Sequence, residues 1–581
     1  MGSGALSAPV VRVLPDRSGP DKSFDYLWPH PIDDPAELIG ARVRVDLHGR
    51  RVGGWVVETV GSDLPAIDSL KTVATMSGLG PTVDLIGLAG WAANRWAGRR
   101  SQFLSTASPP RAVRAVGAPR RTGSAPQPNS PAAARLLDAG GGVLRLPPGA
   151  DQFPAIASAL ALGPSLVIVP GIDDAAILAA RIRRAGVSVA HLPEQWAEAR
   201  SGVDLTIGSR TAVWAPVPDL AAIVVLDEHD ERLQAERSPC WHAREVALER
   251  GRRLGVPVLL VSPVPTVEAV EGRPLEHPPA DRERRGWPRV VIDDRGDVEP
   301  WRRSLLGSEL IAELRDATRT VVCVMNVSGR ARRLACRGCS VVLRCEVCEA
   351  ALGLGDEGGL ACPSCGHTRP EVCAVCGSSA FANLRPGVRR IREELEAAAG
   401  REVIAVEGDD PHRSIHAPGS AAVFVGTEAV LHRVTSADTV AFLDIDAELL
   451  APRFRAGAQA LALIARGARL AGGSATGGLL ILQTNSPDHP VVRAVADADP
   501  TIALEADRTI RQQLALPPFG ALARASGSGV ERLISSLPPT VAASPTQDGY
   551  VIRAADDDEL AAALAAAERP SGVRVLVDPQ R

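Results

Sequence analysis

Cys336-Arg-Gly-Cys339, Cys345-Glu-Val-Cys348, Cys362-Pro-Ser-Cys365 and Cys373-Ala-Val-Cys376 contain eight of the chain's ten cysteines. A tight turn brings sulfurs three residues apart to one side, so each pair can offer two thiolates to one metal. Two pairs complete a tetrahedral all-sulfur site, and four pairs predict two zinc ions. A disulfide framework suits short secreted chains. This chain has 581 residues, and Met1–Pro9 is small and neutral rather than a charged-then-apolar leader. An iron–sulfur cluster more often uses less regular spacing. Loop lengths alone permit either nested or sequential pairing of the four motifs. Cys240 and Cys323 stand apart from any pair and read as small core residues.

The length predicts several domains, on a prior of about 100–200 residues each, and 45% hydrophobic residues supports real cores. Apolar runs such as Leu479–Leu482 are far too short to span a bilayer. A cytoplasmic enzyme or assembly factor is the expectation. The net charge of −4 excludes a global field that would attract nucleic acid, so any such binding must come from local patches. Lysine occurs only at Lys22 and Lys71, and arginine carries nearly all other positive charge. Codon bias accounts for the scarcity without relaxing any chemistry that requires a lysine.

Residues 8–104 read as a β-rich module. Val43–Val45 and Val52–Val57 alternate about a hairpin turn at His48-Gly49-Arg50-Arg51, and a helix follows near Val83–Trp96. Ser105–Ala132 is rich in Pro, Ala, Gly, Ser and Arg and reads as a linker. From about 135, apolar runs at Ser165–Val169, Ala221–Leu226 and Val256–Val261 alternate with amphipathic stretches. A second set follows the cysteines, at Val403–Val406, Ala421–Val425, Val440–Asp444 and Leu479–Gln483. Continuous apolar strands suit parallel sheets covered by helices on both faces. The pattern predicts two α/β lobes with the cysteine module inserted in the second. In the tail, Glu559–Ala567 reads as helix and Arg574–Val577 as strand.

Several motifs together resemble one family, the PriA replication-restart helicases (primosomal protein N′), in a form with degenerate helicase motifs. Near the start stand Lys22-Ser-Phe-Asp-Tyr26 and Gly40-Ala-Arg-Val-Arg-Val45. The first lobe has Ile207-Gly-Ser-Arg-Thr-Ala212, Leu226-Asp-Glu-His-Asp230 and Trp241-His-Ala-Arg-Glu245. The second has Val425-Gly-Thr-Glu428, Leu443-Asp-Ile-Asp446 and Arg453-Phe-Arg-Ala456. The resemblance covers most of the chain, and the cysteine cluster is its most specific part. It implies a multidomain α/β protein with a 3′-DNA-end-binding module over 1–107 and a linker or winged-helix remnant over 108–135. A first RecA-like lobe over 136–275 and a second over 276–335 with 380–500 follow. A two-zinc module at 336–379 and a small α/β C-terminal domain at 501–581 complete the layout. It also implies nesting: Cys336, Cys339, Cys373 and Cys376 on one zinc, and Cys345, Cys348, Cys362 and Cys365 on the other.

A motor of this family needs a glycine-rich loop whose N–H groups cradle phosphate, a lysine for the β- and γ-phosphates, and a Ser or Thr for magnesium. The family's Gly-x-Thr-Gly-Ser-Gly-Lys-Thr is here Arg145-Leu-Pro-Pro-Gly-Ala-Asp-Gln152. Without gaps, Asp151 falls at the lysine and Gln152 at the threonine; sliding by one, to align Gly149, puts Ala150 and Asp151 there. The prolines remove donors, Asp151 repels phosphate, and no lysine lies beyond Lys71 to rescue the motif. The coupling motif Gly-Ser-Ala-Thr-Pro reads Val261-Ser-Pro-Val-Pro265. The final motif's two arginines fall at Leu470 and Gly473, and its glutamine at Arg466. Asp227 and Glu228 persist, and their bland reading is an acidic strand end. ATP and magnesium are therefore doubtful cofactors, and no catalytic residue is assigned.

Binding elements are better preserved. The resemblance implies that Phe24, Asp25 and Tyr26, with Gly49 and Lys71, receive the 3′ end of a nascent strand. Aromatic faces would stack a base, a carboxylate would accept the 3′-hydroxyl, and Lys71 would meet phosphate. The competing reading makes Phe24 and Tyr26 ordinary alternating core positions. Arg319, Arg330, Arg332, Arg333, Arg337 and Arg344 accumulate between Asp316 and Glu346 without an acid among them, a patch able to follow a phosphate backbone or to form a solvated face. The second basic run, Arg385–Arg392, reads as the start of a helix.

The expected function is a replication-restart (primosome) protein that binds stalled forks and promotes reloading of the replicative helicase without unwinding DNA itself. Its expected partners are forked DNA, helicase-loading proteins and single-stranded-DNA-binding protein, in the cytoplasm at the nucleoid, with no membrane. Two alternatives compete: an active ATP-dependent 3′–5′ helicase with a non-standard nucleotide site, and a zinc scaffold that binds proteins but not DNA.

Overall fold

The structure is a computed structural model. It describes residues 9–579 except 18–20, 61–69, 124, 125, 128, 297–305, 326–333, 340, 348, 349, 356–358, 363, 364, 384–387 and 407–420. Two parallel sheets organise the chain. The first has seven strands, in the order Leu275–Glu276, Gly141–Arg145, Val258–Ser262, Ala222–Leu226, Ser165–Ile168, Leu205–Gly208 and Val189–His191. The second has six: Arg289–Asp294, Leu479–Thr484, Thr439–Phe442, Val321–Val324, Val423–Gly426 and Val403–Val406. All neighbours in both sheets run parallel. Their central strands are mostly apolar because helices cover both faces, and Ala222–Leu226 is buried throughout. We call the units built on these sheets the first and second lobes. The chain is a multidomain α/β protein with parallel sheets and a cysteine module.

The N-terminal module is a five-stranded sheet. Arg42–Leu47 and Arg50–Val60 pair antiparallel through His48-Gly49, both at positive φ (49° and 76°), as a two-residue hairpin turn requires. Phe24–Leu27 forms an edge strand of this sheet. The helices Val83–Arg95 and Arg100–Ala107 follow, the second extending into the stretch expected to be linker. The described residues of 109–130 then run without helix or strand. This strap is fastened to the first lobe: Arg121 pairs with Asp219, and Thr122 donates to Asp204.

Between Ala521 and Val577 lies an antiparallel four-stranded sheet, ordered Ala542–Thr546, Gly549–Ala554, Ala521–Gly527 and Val573–Val577. The preceding helix Thr501–Gln513 packs on the second-lobe helices Pro490–Ala496 and Ala456–Ala471. One continuous core joins the N-terminal helices, one face of the first lobe and this C-terminal sheet through Trp96, Phe103, Trp214, Trp241, Ala523 and Val575. The second lobe has a core on each face of its own sheet. Cys323 is fully buried in one of these, and Cys240 is buried outside the cysteine module.

At the junction of the N-terminal helices and the C-terminal unit, Arg95 pairs with Asp557 (2.7 Å) and Asp578 (2.6 Å). Burial pushes Asp557 up to about 7, Arg95 opposes the rise, and the neighbouring Asp578 adds to it. A carboxyl raised in the folded state favours its neutral form, so its stabilising contribution fades as pH climbs from the ordinary carboxylate range towards 7. Asp557→Asn is therefore expected to raise the melting temperature more at pH 8 than at pH 5. A shift of equal size at both pH values would refute this.

Candidate metal centre and nucleic-acid interface

The cysteine module projects from the second lobe after strand Val321–Val324. Its neck is the antiparallel pair Leu334–Cys336 and Phe381–Asn383, which brings the first and last cysteine motifs together. The Sγ atoms of Cys336, Cys339, Cys373 and Cys376 all lie within 4.8 Å of one another. Cys336 is 3.4 Å from Cys376, and Cys339 is 3.6 Å from Cys373. Cys345, Cys362 and Cys365 form a second group, with Cys345 3.5 Å from Cys365; Cys348 lies outside the described residues.

A zinc ion with bonds of about 2.3 Å at tetrahedral angles separates its sulfurs by about 3.8 Å. Both groups fit that geometry, and the outer and inner motifs are each brought together. Backbone N–H groups of Gly338 and Val347 donate to the sulfurs of Cys336 and Cys345 (3.3 and 3.4 Å), bonds that favour thiolate over thiol. Cys365 and Cys376 are each followed by a glycine at φ +74°. There Gly366 and Gly377 donate to the carbonyls of Cys362 and Cys373 and close the turns.

The expected basic patch is divided by the fold. Arg319 sits below the second-lobe sheet and pairs with Glu313 (2.6 Å), so it does not belong to the module. Arg337 donates to the carbonyl of Phe381, and Arg344 donates to Ser486. Arg330, Arg332 and Arg333 lie outside the described residues, as does Arg385, and the helix predicted from the second basic run begins at Val388.

On the N-terminal edge strand, Phe24 and Tyr26 share one face and Asp25 points to the other. Tyr26 is 3% exposed, lies in the module's core and donates its hydroxyl to the carbonyl of Asp46, close to the His48-Gly49 turn. Phe24 is half-buried against the same core. Asp25 is held by Arg12 (2.9 Å), which also pairs with Glu58 (2.7 Å). Gly49 is exposed, and no atom lies within 4 Å of the position a Cβ would take there. Lys71 is exposed beside the strand, and its carbonyl accepts from Leu27. Tyr26 thus combines core packing with a place beside the turn, and Phe24 packs on the same core.

The chain matches a family model described as the 3′ DNA-binding domain (3′BD) of PriA over residues 12–109. It is 31% identical to the probable replication restart protein PriA of Mycobacterium tuberculosis (strain ATCC 25618 / H37Rv), over 87% of this chain and 85% of the relative. The chain belongs to the PriA family. It is also 27% identical to the replication restart protein PriA of Bacillus subtilis (strain 168), over 59% of this chain, a match spanning about half (46%) of that relative. Among solved structures, a DUF1998 helicase MrfA bound to DNA aligns at TM-score 0.36 and 12% identity, over 77% of this chain and 64% of that one.

In this PriA-family chain the nucleotide-loop position is fully described. Strand Gly141–Arg145 leads through 146–152 to helix Phe153–Leu160. The N–H of Gly149 donates to Gly286, and that of Ala150 to Pro147, so two would-be phosphate donors are bonded within the protein. Asp151 is not a free charge as its sequence position suggested: Arg181 grips it with both Nη atoms (2.8 and 2.6 Å) and holds its carboxyl below the usual range. Gln152 donates to Asp227 (3.0 Å).

Asp227 ends a central strand, where parallel sheets present their ligand sites, and has φ +49°. It is met by Arg469, whose Nη atoms lie 2.6 Å from both carboxylate oxygens and whose Nε donates to the carbonyl of Pro148 (3.0 Å). Burial would raise the Asp227 carboxyl, but Arg469 brings it down to about 2. Arg466 pairs with Asp230, which also takes Arg232. Counting the final motif without gaps had passed over Arg469, one residue before Leu470. Its sequence signal is the three-residue spacing of Arg466 and Arg469, which puts both on one face of helix Ala456–Ala471.

Glu228 points away from this cleft. Fully buried, it accepts from Arg244 (2.8 Å), from the Thr266 hydroxyl (2.9 Å) and from the Thr266 amide (2.8 Å). It ties the end of the central strand to helix Ala243–Leu254 and to Thr266, which follows Val261–Pro265.

Proposed function

We propose that this PriA-family chain acts in replication restart. In this reading it binds abandoned or stalled forks through the nascent 3′ end and promotes reloading of the replicative helicase through protein partners, without ATP-driven unwinding. The observation that carries the reading is the match of residues 12–109 to the PriA 3′ DNA-binding domain. Phe24, Asp25, Tyr26, Gly49 and Lys71 are the proposed contacts. Unstacked terminal bases suit aromatic faces, and a terminal hydroxyl suits a carboxylate. For Asp25 to accept it, Arg12 must share that carboxylate with the DNA. The two cysteine groups are proposed to hold one structural zinc each, with Cys348 as the fourth ligand of the inner site. Absence of ATP turnover is supported by the missing lysine and by the bonded loop around Gly149–Gln152.

The test is purified zinc-loaded protein with synthetic forks. Binding should favour forks with a free 3′ end over 3′-blocked forks, and Phe24→Ala should weaken it by about tenfold, since stacking of one base contributes roughly 1–3 kcal/mol. ATP hydrolysis should stay at background with or without DNA. Equal binding of free and blocked ends would reject the 3′-end reading, and DNA-stimulated hydrolysis lost in Asp227→Ala would restore the helicase alternative.

A further inference from the structure

The charges that meet across the lobes are sorted by sign. The first lobe contributes Asp227, Asp230, Glu268 and Glu271. The second lobe and its packed helix Thr501–Gln513 contribute Arg469, Arg466, Arg455, Arg511 and Arg508. Asp227 pairs with Arg469, Asp230 with Arg466, Glu268 with both Arg455 (2.7 Å) and Arg511 (2.9 Å), and Glu271 with Arg508 (3.0 Å). Arg145 is a cation on the opposite side, pairing with Glu283 (3.2 Å) and reaching Thr501 and Asp499. Several of these groups are deeply shielded: the side chain of Arg511 is 1% exposed and that of Asp230 3%. Phe454 packs between Arg455 and Arg511, whose guanidiniums stand 4.9 and 5.4 Å from its ring centroid.

We propose that these pairs form a latch that holds the two lobes closed without a nucleotide. In a working motor, ATP and its metal bridge the phosphate loop, the strand-end acid and the opposing lobe's arginines, and their loss lets the lobes separate. Here Arg469 itself bridges the loop carbonyl at Pro148 and the strand-end Asp227, and Arg466 crosses to Asp230. A nucleotide entering the cleft would have to strip Arg469 from its carboxylate and gain no lysine in return. Stripping Arg469 is unfavourable because Asp227, only 13% exposed, would stay shielded and unmatched. The interlobe angle is therefore set by the chain's own charges. The latch deepens the proposed ATP-independent function but does not depend on fork binding, and its test uses no DNA.

Hydrogen–deuterium exchange on the zinc-loaded full chain reads the latch directly, in peptides covering 146–153 and 456–471. Exchange in both should be the same with and without ATP and magnesium. Arg466→Glu combined with Arg469→Glu should accelerate both by about tenfold, as opening of the interface becomes easier. Asp227→Arg with Arg469→Asp should recover most of the protection lost in Arg469→Asp alone. Should the double glutamate variant fail to fold, Arg469→Gln decides, because it removes the charge while keeping a polar side chain at a position that is 41% exposed. Acceleration in both segments supports the latch. Unchanged exchange in Arg469→Gln, or protection gained on adding ATP and magnesium to the wild type, would overturn it.

Discussion

Replacing Cys373 with serine is expected to lower the zinc content from two ions per chain to one and to unfold the segment 334–383, while both parallel sheets stay folded. The reasoning starts from how little else holds the module. Its strands are two or three residues long, and its core is Leu334, Leu343, Ala350, Leu352 and Leu360 around the cysteines themselves. Cores this small do not offset the entropy of ordering the chain, and metal coordination supplies the difference, about 10–16 kcal/mol for a structural zinc. Cys373 and Cys376 stand beside the neck, where Cys336 pairs with Phe381, so loss of the outer ion opens the module at its base. The lobes have separate cores and should keep their own unfolding transition. Metal analysis with limited proteolysis checks this, and Cys240→Ser, at a buried site away from both groups, serves as the control that keeps both ions. Two ions retained in Cys373→Ser, or no new cleavage between 334 and 383, would defeat the model.

Features that depend on neighbours in sequence were legible in advance. Continuous apolar runs such as Ala221–Leu226 and Leu479–Gln483 became buried parallel strands because a strand covered on both faces has no polar side to alternate. The cysteine motifs and the His48-Gly49 turn are equally local. Strand Gly141–Arg145 escaped notice because it opens with two glycines, and a Cβ on Gly141 would come 2.5 Å from the Val258 carbonyl. That is a requirement of sheet packing that no apolar pattern announces. Arg469 was missed for a related reason: its partner Asp227 is set by how a helix face of one lobe docks on a strand end of the other. The core shared by Trp96, Trp214 and the C-terminal sheet is likewise a property of docking, not of any segment. Asp25 is the intermediate case. Its alternation was readable, but its pairing with Arg12 depends on register with the neighbouring strand.

Glu228→Ala is expected to destabilise the first lobe by about 3 kcal/mol, more than Asp227→Ala does, although the two acids are adjacent. The two acids separate by burial. Glu228 is fully buried and accepts three hydrogen bonds, so its removal takes a carboxylate from the Arg244 guanidinium, itself 5% exposed, and orphans the amide of Thr266. Glu245 still pairs with Arg244 (2.9 Å), which keeps the cost at the lower end of the range for broken buried pairs. Thr266 also caps helix Val267–Val270, which carries Glu268 into the interlobe latch, so the damage should spread to the exchange behaviour of that helix. Asp227 differs because its partner can leave: Arg469 is partly solvent-exposed and keeps its bond to the Pro148 carbonyl. Removing Asp227 should therefore loosen the cleft while sparing most of the lobe's stability. Denaturant unfolding of the two alanine variants, followed by tryptophan fluorescence from Trp214 and Trp241 in the first-lobe core, compares them directly. Equal midpoints would mean that Glu228 is a remnant rather than a hub. A larger loss in Glu228→Ala, with no ATP turnover in either protein, would mean that the acidic strand end organises structure.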